Sequence, residues 1–208
     1  MNIGCISVGG MINNVKTFAS VLMPGVQHMR HTHLPEHKFV SGQPETGADR
    51  ADDLERIAIN FGPENIAACI VEPIAGSTGT LVPPKGYLQK LRDTCDKHGI
   101  LLIFDEVITG WGRTGSSFAS IEYGVTPDIM TMAKATTNGV VPMGVVACKD
   151  EIYDSVMDAS PKGSIELFHG YTYSGIPISV AAGLAVQDIF EKEDIFKMAK
   201  EMSPYFQE

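Results

Sequence analysis

A lysine and three carboxylates follow three apolar stretches of the chain, each at the point where the stretch gives way to polar residues. Glu72 follows IAACIV, Asp105 and Glu106 follow ILLIF, and Lys134 follows DIMTMA. Withdrawal from water lowers the pKa of a lysine amine, and a neutral amine is a nucleophile. The alternative is a lysine stem that packs at a strand end while the ammonium reaches solvent. Position alone favours this second interpretation of Lys134.

Predicted helices and strands alternate around these residues. Apolar residues at helical spacing predict helices over 54–61, ended by Gly62, and over 88–95, ended by Gly99. A later helix is predicted over PISVAAGLAVQDIF, and the first fifty residues are predicted to be mostly loop. Four short apolar runs predict strands: IAACIVEP, ILLIFDE, DIMTMAK and MGVVACK. This alternation is typical of a parallel α/β sheet with helices on both faces.

The predicted sheet gathers the charged residues at one edge. Ligands bind to such sheets outside the carboxyl ends of the strands. An isolated acid at a strand end is usually a loop residue, but here the acids and Lys134 follow equivalent ends of neighbouring strands. Their common position makes them a candidate site and favours a chemical role for Lys134.

Composition argues against several kinds of partner and location. The 208 residues carry a net charge of −9 with a pI near 5.1, which disfavours a nucleic-acid partner. The sequence lacks the long apolar run of a membrane span, and its first residues lack the pattern of a secretory signal. Four irregularly spaced cysteines predict free thiols in a reducing compartment, with Cys69 and Cys148 buried. We therefore expect a cytoplasmic protein.

Two motifs resemble binding sites but lack the context that binding requires. The stretch GWGRTG, residues 110–115, matches the G-x-G-x-x-G pattern, yet polar residues separate it from the strand and no acid ends the next strand. Histidines at 28, 31, 33 and 37 have the spacing of a metal cluster, but prolines at 24 and 35 oppose a helix that could carry the ligands. We predict neither a nucleotide site nor a metal site.

The chain resembles the class III (omega) aminotransferases, which use pyridoxal phosphate (PLP). The resemblance extends over nearly the whole sequence and is carried by four motifs in the family's order: VEPIAGSTGTLVPPKGYL, FDEVITGWGRTG, AKATTNG and HGYTYSGIPIS. Asp105 and Lys134 are 29 positions apart (134 − 105), which fits the family's spacing. The resemblance implies the large domain of a fold type I PLP-dependent transferase, with a mostly parallel sheet and helices on both faces.

The resemblance also implies roles for individual residues. Lys134 resembles the lysine that forms the internal aldimine with PLP and moves the substrate proton. Asp105 resembles the carboxylate that keeps the pyridine nitrogen protonated, and Val107 the residue that packs on the cofactor ring. Thr172 resembles the hydroxyl that reaches the cofactor phosphate across a homodimer interface with a shared active site. Glu72 is expected to support the cofactor-binding groups and not to catalyse.

Two positions suggest which branch of the family this chain resembles. Relatives that act on ornithine or 4-aminobutyrate tend to have Gln where this chain has Ile108, and some have Glu where it has Ser77. The chain is therefore more similar to the beta-alanine (omega-amino acid)–pyruvate branch, which implies an amine or omega-amino acid donor and a keto acid acceptor. Trp111 replaces a more usual phenylalanine, and Ile176 replaces a more usual histidine.

Family members are about twice as long as this sequence, so we expect an incomplete fragment. Residues 1–190 are expected to be part of the PLP-binding large domain, and 191–208 the start of a truncated small domain. One alternative is a non-catalytic or degenerate fragment with weak PLP binding. A second alternative is a PLP-dependent aminomutase, which would use the same Lys134 and Asp105.

Overall fold

Helices and strands alternate between residues 52 and 132, as the sequence predicts. The structure is a computed structural model that describes residues 2–163, 167 and 172–207. The chain divides into two units, residues 1–102 and 103–208, and the boundary falls inside the second strand. Within the described residues, no helix is both long enough and apolar enough to cross a membrane.

The first unit is mostly helical outside its N-terminal loops. Its regular elements are α1 (Ile3–Val8), α2 (Ile12–Thr17), α3 (Asp52–Phe61), β1 (Ala68–Val71) and α4 (Tyr87–His98). Short 3-10 turns are found at Ala19–Val21, Pro35–His37, Ala48–Ala51 and Pro63–Asn65. Apart from α1, α2 and the first three of these turns, residues 2–50 form loops, in agreement with a prediction of mostly loop that did not include α1 and α2.

Helices α3 and α4 pack against each other through the apolar faces that the sequence predicts. The buried apolar residues of these faces are Leu54, Ile57, Ala58, Tyr87, Leu88, Leu91 and Cys95. Phe61 departs from the prediction, since this residue is 52% exposed. Gly62 and Gly99 follow the two helices with φ angles of 80° and 68°, which glycine adopts without strain. After α4, the N–H of Leu101 donates to the Ala67 carbonyl and brings the start of β2 (Leu101–Asp105) beside β1.

A buried carboxylate ties the N-terminal loops to α3. The Asp53 side chain is 4% exposed and accepts hydrogen bonds from Nε, Nη2 and the backbone N–H of Arg30 at 2.8–3.1 Å. Arg56 approaches the same carboxylate at 3.8 Å. The hydrogen bond with the Arg30 side chain lowers the pKa of Asp53 below its usual value.

Replacing Asp53 with asparagine is expected to lower the free energy of unfolding by about 1.5–3 kcal/mol near neutral pH, since hydrogen bonds to a charged group are lost. Because the folded-state pKa is lowered, this contribution is present above the unfolded value of about 3.9 and lost as the pH falls through the folded pKa. Urea unfolding across this range should show parent and variant converging in acid. The exposed Asp52→Asn change, which removes a surface pair with Lys90, should cost less than about 1 kcal/mol.

The second unit contains a mixed sheet. The end of β2, then β3 (Ile129–Met132) and β4 (Val145–Cys148), lie side by side in this order. Strands β2 and β3 are parallel, with Asp105 opposite Thr131, whereas β3 and β4 are antiparallel. Strand β4 departs from the predicted parallel sheet because the link over 133–144 contains a 3-10 turn, Lys134–Thr136, and not the helix typical of a parallel crossover.

The helices of the second unit follow these strands. They are α5 (Ala119–Tyr123), α6 (Asp150–Ala159), α7 (Pro177–Lys192) and α8 (Ile195–Gln207). Helix α7 corresponds to the late helix predicted from the sequence, and it contacts both α8 and the Lys134–Thr136 turn. The domain boundary expected at 190/191 falls within α7, and it stays a prediction.

Candidate active site

The carboxyl ends of β2 and β3 bring two of the predicted site residues to one edge of the sheet. Asp105 is the last residue of β2 and pairs with Thr131 of β3, and Lys134 follows Thr131 by three positions. Because the two strands are parallel, both chain segments leave the sheet at the same edge. The Val107 N–H donates to Asp105 Oδ1 at 3.0 Å, which orients the half-buried carboxylate.

Lys134 has an unusual backbone conformation. Its φ angle is +50°, which a residue with a side chain adopts only at a cost in energy. Two hydrogen bonds hold its carbonyl, from the N–H of Thr137 at 3.3 Å and from that of Gly139 at 3.2 Å. A strained residue held in place by its surroundings is found preferentially at functional sites. The exposed lysine therefore differs from an ordinary surface residue.

A cleft of about 1170 Å³ has both Lys134 and Thr172 in its lining. The lining residues come from two segments of the second unit, 133–144 and 172–180. Binding sites for small molecules are commonly clefts of about 300–1,000 Å³, so this one has room for a cofactor. Asp105 and Val107 are outside the lining of this cleft.

Glu72 and the HGYTYSGIPIS motif are the remaining parts of the predicted site. Glu72 belongs to the first unit, where its Oε2 accepts a hydrogen bond from the Gly76 N–H at 2.9 Å. This contact orders the turn after β1. His169 to Tyr171 lie outside the described residues, whereas the Thr172 that follows them is described and exposed.

Glu106 has a position that the sequence did not reveal. The residue is fully buried, and its carboxylate accepts hydrogen bonds from the N–H groups of Ala119 and Ser120 at the start of α5, and from the Thr109 hydroxyl, at 2.7–2.8 Å. Its own N–H donates to the Thr131 carbonyl. Glu106 thus links the end of β2 to β3, to the following loop and to α5.

The GWGRTG motif and His37 of the histidine motif, which we did not interpret as binding sites, make structural contacts. Residues 110–115 form turns and do not open a helix, and the next helix begins at Ala119. An added Cβ at Gly112 would lie 2.4 Å from the ring of Phe196 in α8, so this glycine allows a close approach. His37 is buried, with Nδ1 near the Leu34 N–H and Nε2 near the Thr46 hydroxyl. Among the described residues, no three metal-ligating side chains cluster closely enough to hold a metal ion.

Comparison with known proteins gives matches over nearly the whole chain. The family model described as aminotransferase class-III matches residues 2–208. An omega-aminotransferase from Caulobacter vibrioides is 55% identical over 206 residues, which cover 99% of this chain and 46% of that protein. A beta-alanine–pyruvate aminotransferase from Pseudomonas aeruginosa is 46% identical over 209 residues, which cover 100% of this chain and 46% of that protein. The chain therefore spans about half the length of these relatives.

Solved structures agree with these matches. The omega transaminase from Pseudomonas jessenii in complex with PMP is similar at a TM-score of 0.86 and 33% identity, with 97% of this chain and 44% of that chain covered. A transaminase with L-ala is similar at a TM-score of 0.89 and 34% identity, with 98% and 48% covered. The chain belongs to the class III aminotransferase family, whose members depend on PLP.

Proposed function

We propose that the protein containing this chain transfers an amino group from an amine or omega-amino acid to a keto acid such as pyruvate, with PLP held on Lys134. The observation that carries the proposal is the position of Lys134, strained at φ +50° in the lining of a cleft at the carboxyl edge of the sheet. The relatives from Caulobacter vibrioides and Pseudomonas aeruginosa support the reaction class and the choice of substrates.

The polar groups near this edge have the chemistry that PLP requires. The Lys134 amine would hold the cofactor covalently, and a Thr172 hydroxyl, reaching across the dimer interface as the resemblance implies, would donate to the phosphate. The Asp105 carboxylate would face the pyridine nitrogen, and Val107 would pack against the ring. Bound PLP supplies an electron-withdrawing ring that acidifies the carbon bearing the substrate amine.

Each residue then has a defined task in the reaction. Once the substrate amine has displaced it from the cofactor, the neutral Lys134 amine would take the proton from the substrate carbon that bears the amine and deliver it to the cofactor. The negative charge of the Asp105 carboxylate would keep the pyridine nitrogen of bound PLP protonated. Its orientation is set by the Val107 N–H, which occupies Oδ1. Glu72 has no direct part in this scheme.

We further propose that the protein is a cytoplasmic homodimer, as the family resemblance implies. In this proposal Thr172 serves a shared active site, and within a single chain it already lines the same cleft as Lys134. Sedimentation of the protein at several concentrations tests the dimer. A monomer at every concentration would contradict it.

Chemical trapping tests the position of the cofactor directly. The chain is incubated with PLP, reduced with borohydride, digested and analysed by peptide mass spectrometry. We expect the cofactor mass on the peptide containing Lys134, and a sample without borohydride is the control. A cofactor mass spread over many surface lysines, or none, would contradict the proposed site.

Product analysis with beta-alanine and pyruvate separates amino transfer from an aminomutase, which would need no keto acid.

A further inference from the structure

The only tryptophan of the sequence is hydrogen-bonded to the turn that carries Lys134. Trp111 lies in the loop after β2, and its indole Nε1–H donates to the Thr136 hydroxyl oxygen at 2.9 Å. The Thr136 hydroxyl donates in turn to the Ala133 carbonyl at 3.1 Å. Thr136 is buried, so these bonds are shielded from competing water.

The acceptor at the end of this series belongs to the peptide group that joins Ala133 to Lys134. The carbonyl also accepts from the Thr136 N–H at 3.1 Å, so two donors fix the plane of that peptide. A left-handed conformation is energetically unfavourable for a residue with a side chain. Such a conformation persists only where neighbouring contacts hold it. The hydroxyl of Thr136 supplies one of these contacts to Lys134.

Trp111 is itself held firmly enough to act as a fixed donor. Its backbone N–H donates to the Ser117 carbonyl at 2.6 Å. Its ring packs edge-on against Phe118, at 4.9 Å between centroids, and stacks with Phe190 at 6.3 Å. A phenylalanine at this position could keep the ring contacts but could not donate to Thr136.

We propose that Trp111 is a positioning residue that, through Thr136, holds the backbone of Lys134 in the conformation that places its amine in the cleft. The consequence for PLP rests on the proposed function, whereas the effect on the backbone does not. Trp111 contributes no group to the reaction in this proposal. Its contribution is to limit the number of conformations that Lys134 can adopt before the cofactor arrives.

Hydrogen exchange of the chain without cofactor tests the effect on the backbone. The Thr137 and Gly139 amides, which donate to the Lys134 carbonyl, should exchange about tenfold faster in Trp111→Phe and in Thr136→Val. The double variant should exchange no faster than either single variant, because both changes break the same series of bonds. Thr136→Ser keeps the hydroxyl, so the Thr137 and Gly139 amides of this variant should exchange at the parent rates. Parent rates in Trp111→Phe would overturn the proposal.

A PLP titration of the same variants tests the consequence for the cofactor. Trp111→Phe and Thr136→Val should hold PLP about tenfold less tightly than the parent and Thr136→Ser. Unchanged affinity in both variants would overturn the positioning role. If the parent itself binds no PLP while the amides respond as expected, the proposed function fails and the role of Trp111 in holding the backbone stands.

Discussion

Replacing Lys134 with alanine is expected to lower the rate of amino transfer by the cofactor-loaded protein roughly 10⁴-fold, because one amine both holds PLP and moves the substrate proton. Lys134 is exposed and lies in the cleft lining, so the substitution should leave the fold intact. The measurement is the rate of alanine formation from beta-alanine and pyruvate, with thermal unfolding of the same samples as a check on the fold.

Two further variants show whether charge alone accounts for the effect. Lys134→Arg keeps a positive charge and a long stem, but its guanidinium stays protonated and cannot act as nucleophile or base. We expect this variant to be as inactive as Lys134→Ala. Lys192→Ala removes an exposed lysine that pairs with Asp188 on the surface of α7, and it should keep the parent rate. If Lys134→Ala kept a tenth or more of the parent rate, the assigned role would be wrong.

The position of Lys134 was predictable because apolar strands and their polar ends can be recognised from residue type alone. Strand β3 ends at Met132, and Lys134 opens the next turn, as the pattern DIMTMAK predicts. The sequence also predicted that these two strands are parallel neighbours, whereas the register that places Asp105 opposite Thr131 is known only from the structure. Local patterns of hydrophobicity therefore predicted which residues leave the sheet at the same edge.

Burial was harder to predict where it depends on the neighbours that a strand has. Cys148 lies in an apolar run and was expected to be buried, but it is exposed. Among the described strands, β4 is last in the sheet order and pairs with β3 alone. The alternation of residues in the sequence cannot specify whether a strand is central or at an edge. Cys69 was predicted correctly as a buried free thiol, and its hydrogen bond with Cys95 together with burial raises its pKa.

Contacts between distant parts of the chain were not predictable from patterns. The bond from Trp111 to Thr136 joins residues 25 positions apart, and Glu106 meets residues 13 and 14 positions later. No periodicity marks such pairs, because they depend on how a loop folds back onto a turn. Glu106 was recognised only as an acid at a strand end, although its burial makes it a structural anchor.

Replacing Glu106 with alanine is expected to lower the free energy of unfolding by about 3–5 kcal/mol, because several buried donors lose their acceptor together. The Ala119 and Ser120 N–H groups and the Thr109 hydroxyl all donate to this carboxylate, and all three residues are buried. The carboxylate also lies at the N-terminus of α5, where a negative charge is favourable. Urea unfolding of parent and variant measures the difference.

Two further variants test whether the loss of stability comes from the lost hydrogen bonds of Glu106 or from removing a negative charge in general. Glu106→Gln keeps the side-chain size and one acceptor oxygen, but its NH₂ group would face groups that are themselves donors. We therefore expect it to lower the free energy of unfolding, but by less than Glu106→Ala does. Glu122→Gln removes an exposed carboxylate from α5, the helix whose first N–H groups donate to Glu106. It should change the free energy of unfolding by less than about 0.5 kcal/mol. Equal effects of Glu106→Ala and Glu122→Gln on the free energy of unfolding would contradict the structural role that we assign to Glu106. Because Asp105 directly precedes Glu106, loss of the anchor should also loosen the carboxylate that we assign to the pyridine nitrogen.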